Sequence, residues 1–124
     1  MTLEKPLIDR PDGPAPADLE ITDITVGDGP EATAGKTVTV HYVGVSHSTG
    51  EQFDASWDRG EPLRFGLGVG QVIPGWDQGV AGMKTGGRRK LVIPPHLAYG
   101  ERGVPGAIEP SETLVFVVDL VGVN

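Results

Sequence analysis

A chain of 124 residues is long enough to bury one hydrophobic core and too short for two. Ten Lys and Arg against seventeen Asp and Glu leave a net charge of -7, which repels phosphate backbones and anionic lipid, so neither nucleic acid nor a membrane is an expected partner. The absence of cysteine excludes disulfides, thiolate nucleophiles and cysteine-based zinc or iron–sulfur centres.

Residues 1–18 carry Pro6, Pro11, Pro14 and Pro16 among charges with little apolar periodicity, and read as an extended Pro-rich arm. Met1 to Gly13 lacks the apolar region of a secretory signal and no stretch approaches the length of a membrane span, so a cytoplasmic location is expected. The domain proper occupies residues 19–124. Leu19, Ile21, Ile24 and Val26 mark a first strand whose alternation slips at Asp23, as a β-bulge would make it, and Gly27-Asp28-Gly29-Pro30 ends it. From Lys36 to Val45 the alternation is regular: Val38, Val40 and Tyr42 share one face, and Thr37, Thr39 and His41 the other. That pattern is a strand with one buried side. Ser46 to Gly50 turns the chain, Gln52 to Ala55 returns as a strand, and Pro62 to Phe65 offers another short extended piece. Connections this short exclude parallel crossovers, so the sheet is antiparallel.

A helix is expected to begin at Ile73-Pro74, because proline suits the first helical position and Asp77 then lies in the first turn. Trp76, Val80 and Met83 repeat at helical spacing, and Gly82 can end the element. Two turns are not stable alone, so this helix must be held by packing its stripe on the sheet. Arg88-Arg89-Lys90 reads as the exposed start of a strand that continues through Leu91-Val92-Ile93. In the last strand, Leu114 to Val123, the residues Leu114, Phe116, Val118 and Leu120 share the buried face, and Asp119 marks the other as at least partly wet. An antiparallel sheet with one short helix is an α+β domain.

Several chemical motifs fail on inspection. Gly35-Lys36-Thr37 lacks the correctly spaced preceding glycine of a phosphate loop and leads into a strand, where the phosphate cradle needs a helix N-terminus. Gly66, Gly68 and Gly70 are followed by Gln71 where a dinucleotide fingerprint needs a further glycine, so a glycine-rich turn is the better reading. His41, His47 and His96 are scattered without acidic ligands at helical spacing, which points to solvated histidines and no metal. No serine sits in a nucleophile elbow. Glu51, Asp54, Asp58 and Glu61 crowd one charged loop, where raising a carboxyl pKa for glycosidase chemistry is difficult. What remains is a set of aromatics, Tyr42, Phe53, Trp57, Phe65, Trp76, Tyr99 and Phe116, most of them beside a polar residue or a turn. Phe116 fits a core position, Trp76 fits core or site, and Phe53 beside Asp54 and Tyr99 beside Gly100 fit a ligand pocket.

Tyr42, Phe53-Asp54, Val72-Ile73-Pro74-Gly75-Trp76, the segment Gly79 to Gly86, Ala98-Tyr99-Gly100, Pro105-Gly106 and Leu114-Val115-Phe116 occur in an order and at intervals that closely resemble the FKBP-type peptidyl-prolyl cis/trans isomerases. The resemblance runs from about Leu19 to Val123 and leaves the arm out. It implies a curled five-stranded antiparallel sheet wrapped around the short helix, and an enzyme that rotates X-Pro peptide bonds and so assists folding. It implies no cofactor and no metal, and as partners proline-containing peptides, unfolded or folding proteins and macrolides such as rapamycin, with the chain acting as a monomer. Trp76 would be the floor beneath a substrate proline, with Tyr42, Phe53, Phe65, Val72, Ile73, Tyr99 and Phe116 as walls and Leu63, Val104 and Ile108 completing the contact set. Tyr99 and the backbone N–H of Ile73 would hold a substrate carbonyl, and Asp54 would be oriented by Tyr42 and Arg59. The catalytic set implied is therefore Tyr99, Asp54, Ile73 and Trp76. Leu63, Val104 and Ala107 depart from the better-known members, where phenylalanine, histidine and a bulky aliphatic are common, and imply a less aromatic and more open rim.

The alternative is a binding module or chaperone that captures a proline segment or macrolide with little turnover. Only loop residues separate Tyr99 from Thr113, which leaves no room there for an inserted chaperone domain. A weaker alternative has the arm dock a partner through Leu7 and Ile8.

Overall fold

The computed structural model describes residues 4–8 and 13–124. The chain forms, in order, β1 (Glu20–Thr25), β2 (Thr37–Ser46), β3 (Gln52–Ala55), α1 (Ser56–Arg59), β4 (Leu63–Gly66), α2 (Pro74–Val80), β5 (Arg88–Ile93), a 3-10 turn (Pro95–Leu97) and β6 (Leu114–Val123). All pairings are antiparallel, in the order β1-β5-β6-β2, with β3 and β4 both on the far side of β2. Val43 to Val45 pair with β3, and Thr37 to Val40 pair with β4. The count is thus six strands where five were expected, because one edge of the sheet is interrupted by α1. The bulge expected at Asp23 is present as a register shift between Asp23 and Thr25.

The face toward α2 carries the main core: Val38, Val40 and Tyr42 from β2, Leu91 and Ile93 from β5, and Leu114, Phe116, Val118 and Leu120 from β6. Each fully buried aliphatic side chain among them contributes about 1.5–3 kcal/mol relative to exposure. Helix α2 starts where proline predicted, with Ile73 as its extended N-cap and Pro74 in the first turn. Besides Trp76 and Val80 it buries Gly75 and Gly79, one helical turn apart. A Cβ on Gly79 would lie 2.7 Å from Leu91 Cδ2, and one on Gly75 would meet Ile93. These two glycines let the helix rest directly on β5, which no apolar pattern announces.

The opposite face is covered only in part: Thr37, Thr39 and Lys90 on it stay partly exposed. Asp119, read as marking a wet side, is 2% exposed. Its Oδ1 accepts from Arg88 Nε at 2.6 Å, its direct partner in the β5–β6 register. Arg88 and Arg89 are accordingly half-buried rather than exposed, with Arg89 bonded to Asp23 and to the carbonyls of Gly79 and Ala81 at the end of α2. Val43, Val45, Ala55, Val92 and Val115 form a second cluster, covered by Ile8 and Trp57.

The arm is docked on this second face. Lys5 Nζ pairs with Asp58 on α1 at 2.8 Å, and Arg88 donates to the carbonyl of Glu4 at 2.6 Å. Pro14 and Pro16 face Val92 and Val115. Ile8 is engaged by the chain's own sheet, so the expected docking pair reduces to Leu7, which is 94% exposed. Pro11, one of the arm's prolines, lies outside the described residues. No helix among the described residues is long and apolar enough to cross a membrane.

Candidate functional site

A pocket of about 180 Å³ opens between the N-terminus of α2 and the sheet, lined by Tyr42, Phe53, Asp54, Leu63, Gln71, Val72, Ile73, Trp76, Tyr99 and Phe116. Trp76 lies at the centre of its aromatic cluster. Its ring meets Tyr42 edge-on at 4.9 Å, Phe116 edge-on at 5.2 Å and Phe65 at 5.6 Å, and Phe53 meets Phe116 at 5.5 Å. Such edge contacts add about 0.5–1.5 kcal/mol each beyond burial and leave little rotational freedom to the rings. Gly44 makes the wall possible, because a Cβ there would lie 2.6 Å from Phe116 and 2.7 Å from Phe53.

The polar side of the pocket is one triangle. Tyr42 donates its hydroxyl to Asp54 Oδ2 at 2.6 Å and accepts from Arg59 Nη2 at 2.8 Å, while Arg59 Nη1 binds Asp54 Oδ1. Asp54 lies near the end of β3 and Arg59 ends α1, so the short helix returns a guanidinium to the strand it follows. Ser56, fully buried, accepts from the Tyr42 amide at 2.7 Å and hydrogen-bonds His41 Nδ1 at 2.8 Å, fixing the backbone beneath the triangle. Burial, followed by the hydrogen bond to Asp54, raises the Tyr42 pKa above its usual value. The Arg59 pKa is raised by its bonds to Tyr42 and Asp54.

Tyr99 stands at the mouth, 42% exposed, on the loop that follows the 3-10 turn. Its hydroxyl makes no hydrogen bond among the described residues, and burial followed by the negative charge of Asp54 raises its pKa. Ile73 presents its amide at the start of α2, and its carbonyl accepts from Trp76 N at 2.9 Å. The loop leading to Ile73 is pinned from both ends: Asp77 accepts from the amides of Gly68 and Gly70, and Gln71 Oε1 accepts from Gly66 N. The glycine run is therefore a turn, as its sequence indicated.

Of the expected site residues, Tyr42, Phe53, Asp54, Leu63, Val72, Ile73, Trp76, Tyr99 and Phe116 converge on the pocket. Phe65 lies behind Trp76, and Arg59 reaches the site through Asp54 and Tyr42. Val104 and Ile108 do not line it. They pair with each other in an antiparallel bridge, and Ile108 is buried in the main core, so both support the loop carrying Tyr99. Gln71 was missed, although its position beside Val72-Ile73 was a usable signal. Trp57, grouped with the pocket aromatics by sequence, lies on the other face and stacks on His41 at 4.3 Å. His41 is thus packed and bonded rather than solvated. Among the described residues no group of three or more His, Asp or Glu stands together as a metal site would require.

The arrangement can hold a small apolar ring against an indole floor, with a phenol and an amide N–H at its edge, and it offers no activated nucleophile. Residues 29–121 match the family model of the FKBP-type peptidyl-prolyl cis-trans isomerases. The chain is 68% identical over 124 residues to an FK506-binding protein of Streptomyces anulatus, covering 99% of this chain and 100% of that one. It is 60% identical over 94 residues to the peptidyl-prolyl cis-trans isomerase FPR2 of Saccharomyces cerevisiae, covering 76% and 70%. The crystal structure of AtFKBP13 superposes with a TM-score of 0.79 at 44% identity, covering 87% of this chain and 94% of that one. The match spans most of the folded domain and the fold agrees with it, so the chain belongs to the FKBP-type peptidyl-prolyl cis-trans isomerase family.

Proposed function

We propose that the Trp76 pocket is where this isomerase turns X-Pro bonds, and that the same pocket takes macrolides of the FK506 and rapamycin type. The observation that carries the reading is an aromatic pocket on an indole floor, with the Tyr99 hydroxyl at its mouth and unbonded among the described residues. The relatives named as FK506-binding proteins support the macrolide half. Amide resonance sets a rotational barrier of about 18–20 kcal/mol, and no bond has to be made or broken to cross it. In the twisted state the nitrogen lone pair leaves conjugation and the amide loses charge separation. A medium less polar than water therefore favours the twisted state over the planar one, which is the differential binding that catalysis requires.

In this division of labour Trp76 lies under the proline ring, with Phe53, Val72 and Phe116 around it. The Tyr99 hydroxyl and the Ile73 amide hold the preceding carbonyl while the proline side rotates. Asp54 is held by Tyr42 and Arg59, and it keeps the pocket's polar edge in one geometry.

An isomerisation assay on X-Pro peptides, with and without rapamycin, tests the reading. Loss of turnover at stoichiometric macrolide is expected. Tyr99→Phe, which removes one neutral hydrogen bond, should lower kcat/KM about three- to tenfold. Unchanged turnover in folded Phe53→Ala and Tyr99→Ala proteins would overturn the pocket assignment.

A further inference from the structure

The pocket does not end at Phe53. The same residue borders a groove of about 300 Å³ that runs between the turn before β3 and the loop after Tyr99, with Glu51, Gly106 and Ala107 on its sides. Glu51, Gly106 and Ala107 also border its continuation, about 520 Å³, which passes Arg102 and Glu109. Both walls are fixed. His47 N donates to Thr113 O at 2.9 Å, and Ser48 donates to the buried carboxylate of Glu112, so the turn is tied to the end of the opposite loop. The Val104–Ile108 bridge holds the other side, where the small Ala107 side chain leaves the groove open.

The charges of the groove are unspent. Among the described residues neither Glu51 nor Glu109 forms an ion pair, and Glu112 behind the wall has hydroxyl and amide partners but no cation. Arg102 is the opposing charge in the continuation, so the lining holds two carboxylates against one guanidinium. The whole molecule's net charge of -7 adds to that potential.

We propose that this groove is a second subsite of the isomerase, and that it selects peptides with a lysine or arginine next to the proline, through Glu51 and Glu109. The proposal rests on the Trp76 pocket being the proline site. A peptide whose proline lies on Trp76 must leave the pocket past its rim, and Phe53 is the wall that pocket and groove share. The adjacent side chain then enters a groove bordered by Glu51 and, further along, by Glu109 and Arg102, and the net negative charge of that lining attracts a cation and repels an anion.

The test uses peptides carrying Lys, Gln or Glu immediately before or after proline, with exchange followed by NMR in about 50 mM and about 500 mM salt, because exposed charges are screened at the higher value. At low salt the Lys peptides should exceed the Glu peptides in kcat/KM by about three- to tenfold at one position or both, the scale of two exposed ion pairs. In the Glu51→Gln/Glu109→Gln double variant that preference should fall below about twofold, with the Gln peptide unchanged. Equal turnover of all three peptides overturns the subsite, as does a preference for Glu or one that survives the double variant. Absence of turnover with every peptide counts against the proline pocket. In that case titration of the Lys peptide decides for the groove: shifts at the Gly106 and Ala107 amides support it, and unmoved amides overturn it.

Discussion

At Tyr99 two requirements meet: the phenol must reach solvent to meet a peptide, and it must stay protonated to donate. Burial and the nearby Asp54 charge raise its pKa, so the donor persists through neutral and mildly alkaline conditions. Turnover should therefore be flat from about pH 6 to pH 9 and fall only above about 10, the ordinary phenol value. Tyr42 follows the same sign. Its folded pKa lies above the unfolded 10.0, so its contribution to stability is complete below that value and is lost as pH rises through the folded one. Alkaline unfolding of Tyr42→Phe, followed by circular dichroism, should lack part of the wild-type loss above pH 10. Glycines carry a separate prediction. Gly79→Ala forces a methyl against Leu91, and such overpacking costs about 1–3 kcal/mol. A melting temperature lower by roughly 4 °C per kcal/mol, as the unfolding entropy of a chain this long implies, checks it.

Elements differ in how far local pattern reveals them. β2 and α2 were legible because Val38, Val40 and Tyr42 alternate and Pro74 fixes a helix start, and both signals lie within a few residues. Asp119 was misread because its partner, Arg88, lies 31 residues away and is brought opposite it only by the β5–β6 register. The site was legible for the same reason in reverse: the resemblance supplied pairings that periodicity lacks, and nine expected residues reach the pocket. Val104 and Ile108 stand further back, bridged to each other in the loop that carries Tyr99. Asp119→Ala leaves the half-buried Arg88 without its carboxylate, and losing such a charge-assisted hydrogen bond costs about 1.5–3 kcal/mol. Urea unfolding should show that loss, with a smaller one when both residues are replaced by apolar ones. On α1, Lys5 lowers the Asp58 pKa. A depressed carboxyl stabilises only above its unfolded value, so the small difference between wild type and Lys5→Ala should be present at pH 7 and fade as the pH falls below about 3.8.

For the molecule as a whole, the arm changes what the sheet is. An open sheet with one helix would present Val45, Val92 and Val115 to water, yet all three are buried, with Ile8 packed on their cluster. Removing residues 1–13 should therefore lower stability and promote self-association through that face, measured by denaturant titration and sedimentation. The pocket lies on the other side, so the truncated protein should keep most of its peptide turnover.

This two-sided build also places the two tryptophans apart. Trp76 floors the pocket and Trp57 lies on the outer face, each with a buried indole N–H that has no hydrogen-bond partner among the described residues. The protein therefore carries a separate optical reporter on each surface. In Trp57→Phe the remaining emission should follow ligand occupancy alone, and in Trp76→Phe it should respond to displacement of the arm and ignore the ligand.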